Sequence, residues 1–361
     1  MAVEPVQVGA ESSPVGEPMP LRVEALPTDG NAAWNRFVQE QAGATFFHRA
    51  EWRQVLEQAF GHQGHYLQCL RGDVVVGVLP LVEVKSLLFG HSLISTPFCV
   101  YGGALGADPQ VQDRLVDAAA DLAEQLGVDY LELRNLQRQR PDWPCKDSMY
   151  VTFRRAIVDD DDANLKAIPR KQRAMVRKAQ QTGLTFEIDA QLDRFYTAYS
   201  TSVRNLGTPV FSRKYFSTLQ QVFGEDCEVL TVSHEGQLVA SVLSFYFRDQ
   251  VLPYYGGGTD LARALKGNDF MYWSLMCHAQ RRGARWFDYG RSKVDTGPYS
   301  FKKNWGFSPE PLYHEYHLVK AKAVPEVNPL NPKYRLMVET WKRLPLGVSQ
   351  WLGPWISRSL G

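Results

Sequence analysis

Residues 288–307 hold the densest set of groups able to do chemistry: Asp288-Tyr-Gly-Arg-Ser-Lys293, then Gly297-Pro-Tyr-Ser-Phe-Lys-Lys-Asn-Trp-Gly-Phe307. Four cations (Arg291, Lys293, Lys302, Lys303) stand among glycines and aromatics just after a strand-like run, Ala284-Arg-Trp-Phe-Asp-Tyr289. Aromatics that wall off water and cations that fix charge fit an anionic or acyl-bearing ligand. Acyl transfer needs a carbonyl held beside an amine or hydroxyl, a sink for charge on the tetrahedral oxygen, and a path for the proton. Lys302 or Lys303 can be that sink, and plain solvation is the ordinary role of either. Asp288, at the strand end, can orient an acceptor amine or take its proton; its ordinary role is an ion pair with Arg291. Tyr254 and Tyr255 can bracket the acceptor, one facing the core and one a cleft, because adjacent strand residues point oppositely.

A second constellation is Arg263-Ala-Leu-Lys-Gly-Asn268, at the start of an expected helix after Gly256-Gly257-Gly258. Free backbone N–H groups there suit an anion, with Arg263, Lys266, Gly267 and Asn268 around it. The alternative is an N-cap by Asn268 with two solvated cations. A third is the run Ile168-Pro-Arg-Lys-Gln-Arg-Ala-Met-Val-Arg-Lys178. On a helix Arg170, Arg173 and Arg177 share one face, while Ile168, Met175, Val176 and Ala179 fall on the other. A solvated face is the bland account, yet no Asp or Glu lies between Asp162 and Glu187 to pair with these cations. An unpaired basic face favours a phosphate-bearing ligand.

The elements that must position these residues read as two similar halves. Apolar periodicity gives helices at Asn31–Gln41, Trp52–Phe60 and Asp108–Leu126, the last stopped by Gly127, and strands at Tyr66–Leu70, Val74–Val84, Leu93–Tyr101 and Val128–Arg134. The second half repeats the order: strands at 229–233, Val239–Phe247 and Val251–Tyr255, a helix from Asn268 to Arg282 stopped by Gly283, and a strand at Arg285–Tyr289. Tyr101-Gly-Gly matches Tyr255-Gly-Gly, and Gly127-Val-Asp-Tyr-Leu-Glu matches Gly283-Ala-Arg-Trp-Phe-Asp, at a near-constant offset. Such an offset is expected of a duplicated α/β domain. The expected layout is a disordered leader over residues 1–20 and a first domain over 21–157. An acidic linker at Asp159–Asp162 opens a second domain over 158–323, and a separate tail covers 324–361. In that tail Val348, Trp351, Leu352, Trp355 and Ile356 can line one helical face, near Lys342, Arg343 and Arg358. The segment is either interfacial or docked on the protein's own surface.

Composition narrows the classes. A net charge of +1 means that a polyanion must be held by a local patch rather than by the bulk field. Five cysteines without a CxxC give neither a disulfide framework nor a zinc site and fit a reducing compartment. Eight histidines show no metal-site spacing, and His314 and His317 read as strand residues. No run approaches the ~20 apolar residues of a membrane span, and no signal-peptide pattern opens the chain. The expected placement is cytoplasmic, with the inner face of the cytoplasmic membrane as a further possibility left open by the tail.

These residues resemble the Fem-type aminoacyltransferases, whose fold is a tandem of GNAT-like acyltransferase domains. The likeness rests on the duplication, the basic opening at Ile168–Lys178, Tyr254-Tyr-Gly-Gly, Asn268-Asp-Phe-Met-Tyr-Trp, Phe287-Asp-Tyr-Gly-Arg-Ser and Gly297–Phe307. It is strongest to the Fem-like proteins of exosortase/PEP-CTERM and exopolysaccharide loci of Gram-negative bacteria. The resemblance implies an α/β fold of mixed sheets flanked by helices. It also implies transfer of an aminoacyl or acyl group to an amine or hydroxyl of a cell-envelope or exopolysaccharide precursor. It places Lys302 near the scissile ester with Phe301 beside it, and adds Tyr272 and Ser292 to the substrate-binding candidates. It implies no tightly bound cofactor and no metal, only an acyl donor: aminoacyl-tRNA or acyl-CoA. The helical arm that some members insert in the second domain has no room here, which raises an acyl-CoA or other small thioester as donor. The first half has no counterpart of the Phe-Lys-Lys turn and reads as a degenerate copy that shapes the cleft. A non-catalytic glycan- or lipid-linked-sugar-binding module in exopolysaccharide assembly is the remaining alternative.

Overall fold

A computed structural model describes residues 19–86, 90–325 and 332–359, side chains of 332–335 aside. The leader expected over residues 1–20 and the turn expected at 328–334 lie largely outside these residues. The first half runs β1 (Leu21–Ala25), α1 (Asn31–Glu40), α2 (Glu51–Phe60), β2 (Gln63–Gly64), β3 (Leu67–Arg71), β4 (Val74–Leu79), β5 (Leu81–Ser86) and β6 (Gly90–Ser95). It continues with β7 (Leu105–Gly106), α3 (Pro109–Leu126), β8 (Tyr130–Asn135), β9 (Cys145–Lys146) and β10 (Tyr150–Ala156). The second half runs α4 (Asp161–Ala167), α5 (Arg170–Gln180), β11 (Thr185–Ile188), α6 (Asp193–Leu206), α7 (Arg213–Phe223), β12 (Cys227–His234), β13 (Gln237–Phe247) and β14 (Gln250–Gly258). Then follow α8 (Asp260–Leu265), α9 (Gly267–Arg281), β15 (Trp286–Asp288), β16 (Ser292–Lys293), α10 (Gly297–Asn304), β17 (Pro309–Pro311) and β18 (Tyr313–Leu318). Two helices close the described chain, α11 (Pro332–Lys342) and α12 (Leu346–Ser357).

The two halves share one strand plan. In the second, β12, β13 and β14 pair antiparallel, β14 pairs β15 in parallel across α9, and β10 flanks β15 antiparallel. In the first, β3 and β4 pair antiparallel, as do β5 and β6; β6 pairs β8 in parallel across α3, and β18 flanks β8 antiparallel. The fold is therefore a tandem of GNAT-like α/β units. One strand of each half is exchanged. β10, placed in the first domain by the expected boundary, joins the second sheet, and β18, placed in the second domain by that boundary, joins β8 of the first.

Three expectations need correction. The strand expected over Val74–Val84 is cut at Pro80, which cannot donate to a ladder, so β4 and β5 enter different sheets. The strand expected over Leu93–Tyr101 stops at Ser95, because Thr96 and Phe98 adopt positive φ of 43° and 67° and turn the chain away. The acidic linker at Asp159–Asp162 is a helix start: the Asp160 carboxylate caps α4 by accepting from the N–H groups of Asp162 and Ala163 at 2.8 and 3.1 Å.

α3 lies on the first sheet through Val111, Leu115, Ala119 and Ala123, is capped by Asp108, and ends at Gly127 in the left-handed conformation. α9 and α5 cover the second sheet, burying Val176 and Ala179 of α5 as the periodicity requires. A third core joins the halves. Phe46 stacks on Phe245 at 4.5 Å between centroids, and Phe60 stacks on Phe98 at 4.4 Å beneath α7. Aromatic pairs of this kind hold the halves as one packed body.

Candidate functional site

The parallel ladder between β14 and β15 consists of two pairs, Gln250–Trp286 and Val251–Phe287, and is not continued beyond them. β14 is also bulged opposite Leu243 and Ser244, leaving Tyr254 out of the ladder. The two strands thus part, with the glycines 256–258 on one side and Asp288-Tyr-Gly-Arg291 on the other. Gly257 lets α6 approach, since a Cβ there would stand 2.4 Å from the Ala198 carbonyl oxygen.

Asp288 is 2 % exposed at the end of β15. Its carboxylate accepts from the Gly290 N–H at 2.7 Å, from the Tyr101 hydroxyl at 3.1 Å and from the Thr152 hydroxyl at 3.4 Å. Burial raises its pKa, and the Gly290 N–H and Arg154 oppose that rise. Tyr101 comes from the first half and Thr152 from β10, so three segments meet on this carboxylate. Asp288 makes no ion pair with Arg291, whose guanidinium lies 4.7 Å from the Tyr150 ring centre.

Lys302 corrects the expectation of an exposed turn. Residues 297–304 form a helix, and Lys302 is 9 % exposed. Its Nζ donates to the carbonyls of Tyr289, Gly290 and Arg291 at 2.7, 3.0 and 3.1 Å. Only an ammonium has three N–H groups for three carbonyls, whereas burial drives the amine pKa down to about 7, with Asp288 opposing. The donors of this cation are thus committed to the turn behind Asp288. Lys303 is exposed and reaches the Tyr299 ring at 5.3 Å. Phe301 packs on Tyr272 and Trp305 at 5.6 and 6.0 Å; Tyr272 in turn meets Tyr289 edge-on at 4.9 Å. Ser292 is buried, and its hydroxyl finds no partner among the described residues.

The remaining candidates scatter. Tyr254 donates to the Phe98 carbonyl at 3.1 Å toward the first half, while Tyr255 meets the Tyr215 hydroxyl at 2.9 Å inside the aromatic core. The two rings meet edge-on at 4.8 Å and both pack in the aromatic core, rather than one facing the core and one a cleft. α9 begins at Gly267 after Lys266, which takes a positive φ of 58°, so Asn268 sits inside the helix rather than capping it. Arg263 is exposed and Lys266 reaches only the Arg263 carbonyl, at 3.3 Å. Arg170, Arg173 and Arg177 line one open surface depression, and none of them makes an ion pair among the described residues; Glu132 and Asp129 are engaged elsewhere. The opposite face of α5 adjoins the start of α9, where Gln172 and the Trp305 indole, at 3.1 Å, both donate to Asp269.

A polar cavity lies in the first half, over the face of β6 and β8 that carries the paired residues Ser92–Tyr130 and Ile94–Glu132. Arg134, Lys146, Tyr150, Arg291, His314 and Tyr316 line it. The first half is therefore not merely a wall: the structure gives it a polar cavity that the sequence reading missed. Glu132 accepts from Arg134 at 2.8 Å and from His314 Nδ1 at 3.1 Å. Arg134 holds the Glu132 carboxyl well below its usual range against the cost of burial. With Nδ1 donating to a carboxylate, His314 Nε2 is an acceptor, and it has no partner among the described residues. Tyr150 stacks on His314 at 5.1 Å. Arg291 joins the two regions: its carbonyl holds Lys302, and its guanidinium borders the cavity. Alternation along 128–134 and 313–318 was the available signal for Glu132 and His314. What it lacked was the pairing of two strands far apart in the chain.

Comparison with known proteins agrees with this geometry. Residues 168–303 match the model of the acetyltransferase (GNAT) domain, so the chain carries an acyltransferase domain. The fold is similar to that of FemX, at 15 % identity and a TM-score of 0.62, covering 88 % of this chain and 100 % of that one. It is similar to a tandem GNAT protein from the clavulanic acid biosynthesis pathway, at 13 % identity and a TM-score of 0.53, covering 85 % and 100 %. It is also similar to Saccharomyces cerevisiae N-myristoyltransferase with bound myristoyl-CoA, at 10 % identity and a TM-score of 0.50, covering 88 % of each chain. No curated protein sequence matches.

Proposed function

We propose that the protein transfers an aminoacyl or acyl group from an activated donor to an amine or hydroxyl of a cell-envelope or exopolysaccharide precursor, acting in the cytoplasm. The observation that carries this reading is the parted β14–β15 pair with the buried Asp288 at its apex, in a segment matching an acetyltransferase domain. The acceptor nitrogen attacks the donor carbonyl carbon, the C–N bond forms, and the C–O or C–S bond to the donor breaks. Asp288, raised by burial, takes the proton that the acceptor loses. Lys302 positions the Tyr289–Arg291 turn through its three hydrogen bonds. The cavity bordered by Arg291 and Lys146, where Arg134 is neutralised by Glu132, suits an acceptor with anionic groups. The open depression lined by Arg170, Arg173 and Arg177 suits the donor phosphates.

Acyl-CoA is the second donor reading. It is favoured because no helix of the second half exceeds 15 residues among those described, leaving no long arm for a tRNA. The test is a thermal-shift and transfer screen with coenzyme A, acyl-CoAs and aminoacyl-tRNA against amine acceptors. A specific donor at ~100 times its dissociation constant adds about 2.7 kcal/mol of stability. Asp288→Asn should then lower transfer about 10²–10³-fold with donor binding retained. No shift and no transfer with any donor class would overturn the proposal.

A further inference from the structure

An ordinary surface helix buries its large apolar side chains and exposes its small or polar ones. α12 does the reverse. Its buried residues are Ser349, Gly353 and Ser357, one per turn, set against the segment after α6. Gly353 lies so close to Val210 that a Cβ would stand 2.8 Å from the Val210 nitrogen. The Ser357 hydroxyl donates to the Val210 carbonyl at 3.0 Å, and Gln350 donates to the Ser200 hydroxyl at 2.9 Å. This docking leaves Trp351 70 % and Trp355 67 % exposed, with Val348 at 38 % beside them. The neighbouring α11 leaves Leu336 78 % and Met337 54 % exposed, while Trp341 is buried. The sequence expectation that Val348, Trp351, Leu352, Trp355 and Ile356 form one face is thus resolved: the helix docks on its own protein, but by the other face.

We propose that the outward face of α12, with the exposed residues of α11, seats on an anionic bilayer surface. Charge argues for that occupant. Lys342, Arg343 and Arg358 are exposed around the face, and between residues 336 and 359 the one acid is Glu339, paired with Lys342 at 2.9 Å. A second copy docked through the same patch would set these cations against themselves, because a two-fold contact is self-complementary. An anionic lipid surface meets them with opposite charge. Paired tryptophans one turn apart suit the headgroup boundary, where an apolar ring carries a polar N–H. No helix among the described residues is long and apolar enough to cross a membrane, so the contact lies in the plane of the surface. Ser359, two residues beyond α12, borders the cavity on the first sheet, which places the candidate site next to this face.

The test is co-sedimentation of the full chain with phosphatidylcholine vesicles, with and without phosphatidylglycerol. The wild type should sediment with the anionic vesicles, and added salt should release it. Trp351→Ser with Trp355→Ser should weaken that binding at least about tenfold at an unchanged melting temperature, since both rings are already outside the fold. Lys342→Gln, Arg343→Gln and Arg358→Gln together should weaken it and remove most of its salt dependence. The proposal is overturned if the wild type stays with the supernatant, or if the tryptophan variant sediments equally well. It is also overturned if light scattering shows a dimer that the tryptophan variant breaks.

Discussion

At the scale of single residues, the Lys302 ammonium is the group whose role the structure changes most. The sequence presented Phe301-Lys302 as part of a basic turn, and a charge in a turn costs the fold little. In place, the ammonium closes three backbone carbonyls over the turn that follows Asp288. Lys302→Ala should therefore lower both stability, by about 3 kcal/mol from the carbonyls left unpaired, and transfer. Lys303→Ala, at an exposed position one residue on, should change neither. Urea denaturation beside a transfer assay separates the two: a Lys302→Ala protein of full stability with no activity would show a purely chemical role. No local pattern could have revealed the carbonyl cage, because 11 to 13 residues separate the lysine from its acceptors. The Glu132–His314 contact is still less legible, at a separation of 182 residues.

At the scale of elements, periodicity and glycine stops located α1, α2, α3 and α9 to within a residue or two, but α6 and α7 went unread. The limits of α3 and α9 were visible in Gly127 and Gly283, where the chain needs positive φ. What failed was continuity: Pro80, Thr96 and Phe98 interrupt runs whose apolar content alone reads as strand. The basic face of α5 was legible because it needs only a period and an absence of acids. Replacing Arg170, Arg173 and Arg177 by Gln should raise the donor KM and flatten its salt dependence, with little change in acceptor affinity. Stability should hold, since no carboxylate of the described chain pairs with them; a lowered melting temperature without a kinetic effect would make them structural. The short helical turn Phe46–His48 supplies a pH test. His48 Nδ1 accepts from the Thr45 N–H at 3.1 Å and Nε2 donates to the Gly103 carbonyl at 3.1 Å, so the neutral ring is fully satisfied. Burial holds its pKa down to about 4 from 6.5. As the pH falls the unfolded ring takes its proton first. The contribution is complete above 6.5 and is lost on descent toward 4, about 3 kcal/mol in all. Denaturation midpoints should drop over that interval in the wild type and drop less in His48→Gln.

At the scale of the whole molecule, the duplication was legible but the exchange of strands was not. Repeats show as matching letters, whereas the partner of a strand far away in the chain is decided by tertiary packing. Nothing in Tyr150–Ala156 or Tyr313–Leu318 says to which sheet it belongs; β10 lies on β15 and β18 on β8. A fragment of residues 158–323 lacks β10 and the Phe46–Phe60 aromatics, so it should lack a stable fold by circular dichroism and denaturation. The full chain should unfold in one transition with equal calorimetric and van't Hoff enthalpies. A stable, cooperative 158–323 fragment would refute this interdependence. The exchange also bears on how the protein is made. Chains emerge from the ribosome N-terminus first, and a domain usually closes as soon as its last residue is out. Here the first sheet waits for Tyr313–Leu318, long after β8 has been synthesised, while β10 is in place before the sheet it will join exists. Throughout that interval the edge of β8 stands open, a template for stray strands. Synthesis rate and chaperone supply, rather than final stability, should then govern how much of this protein reaches its native state.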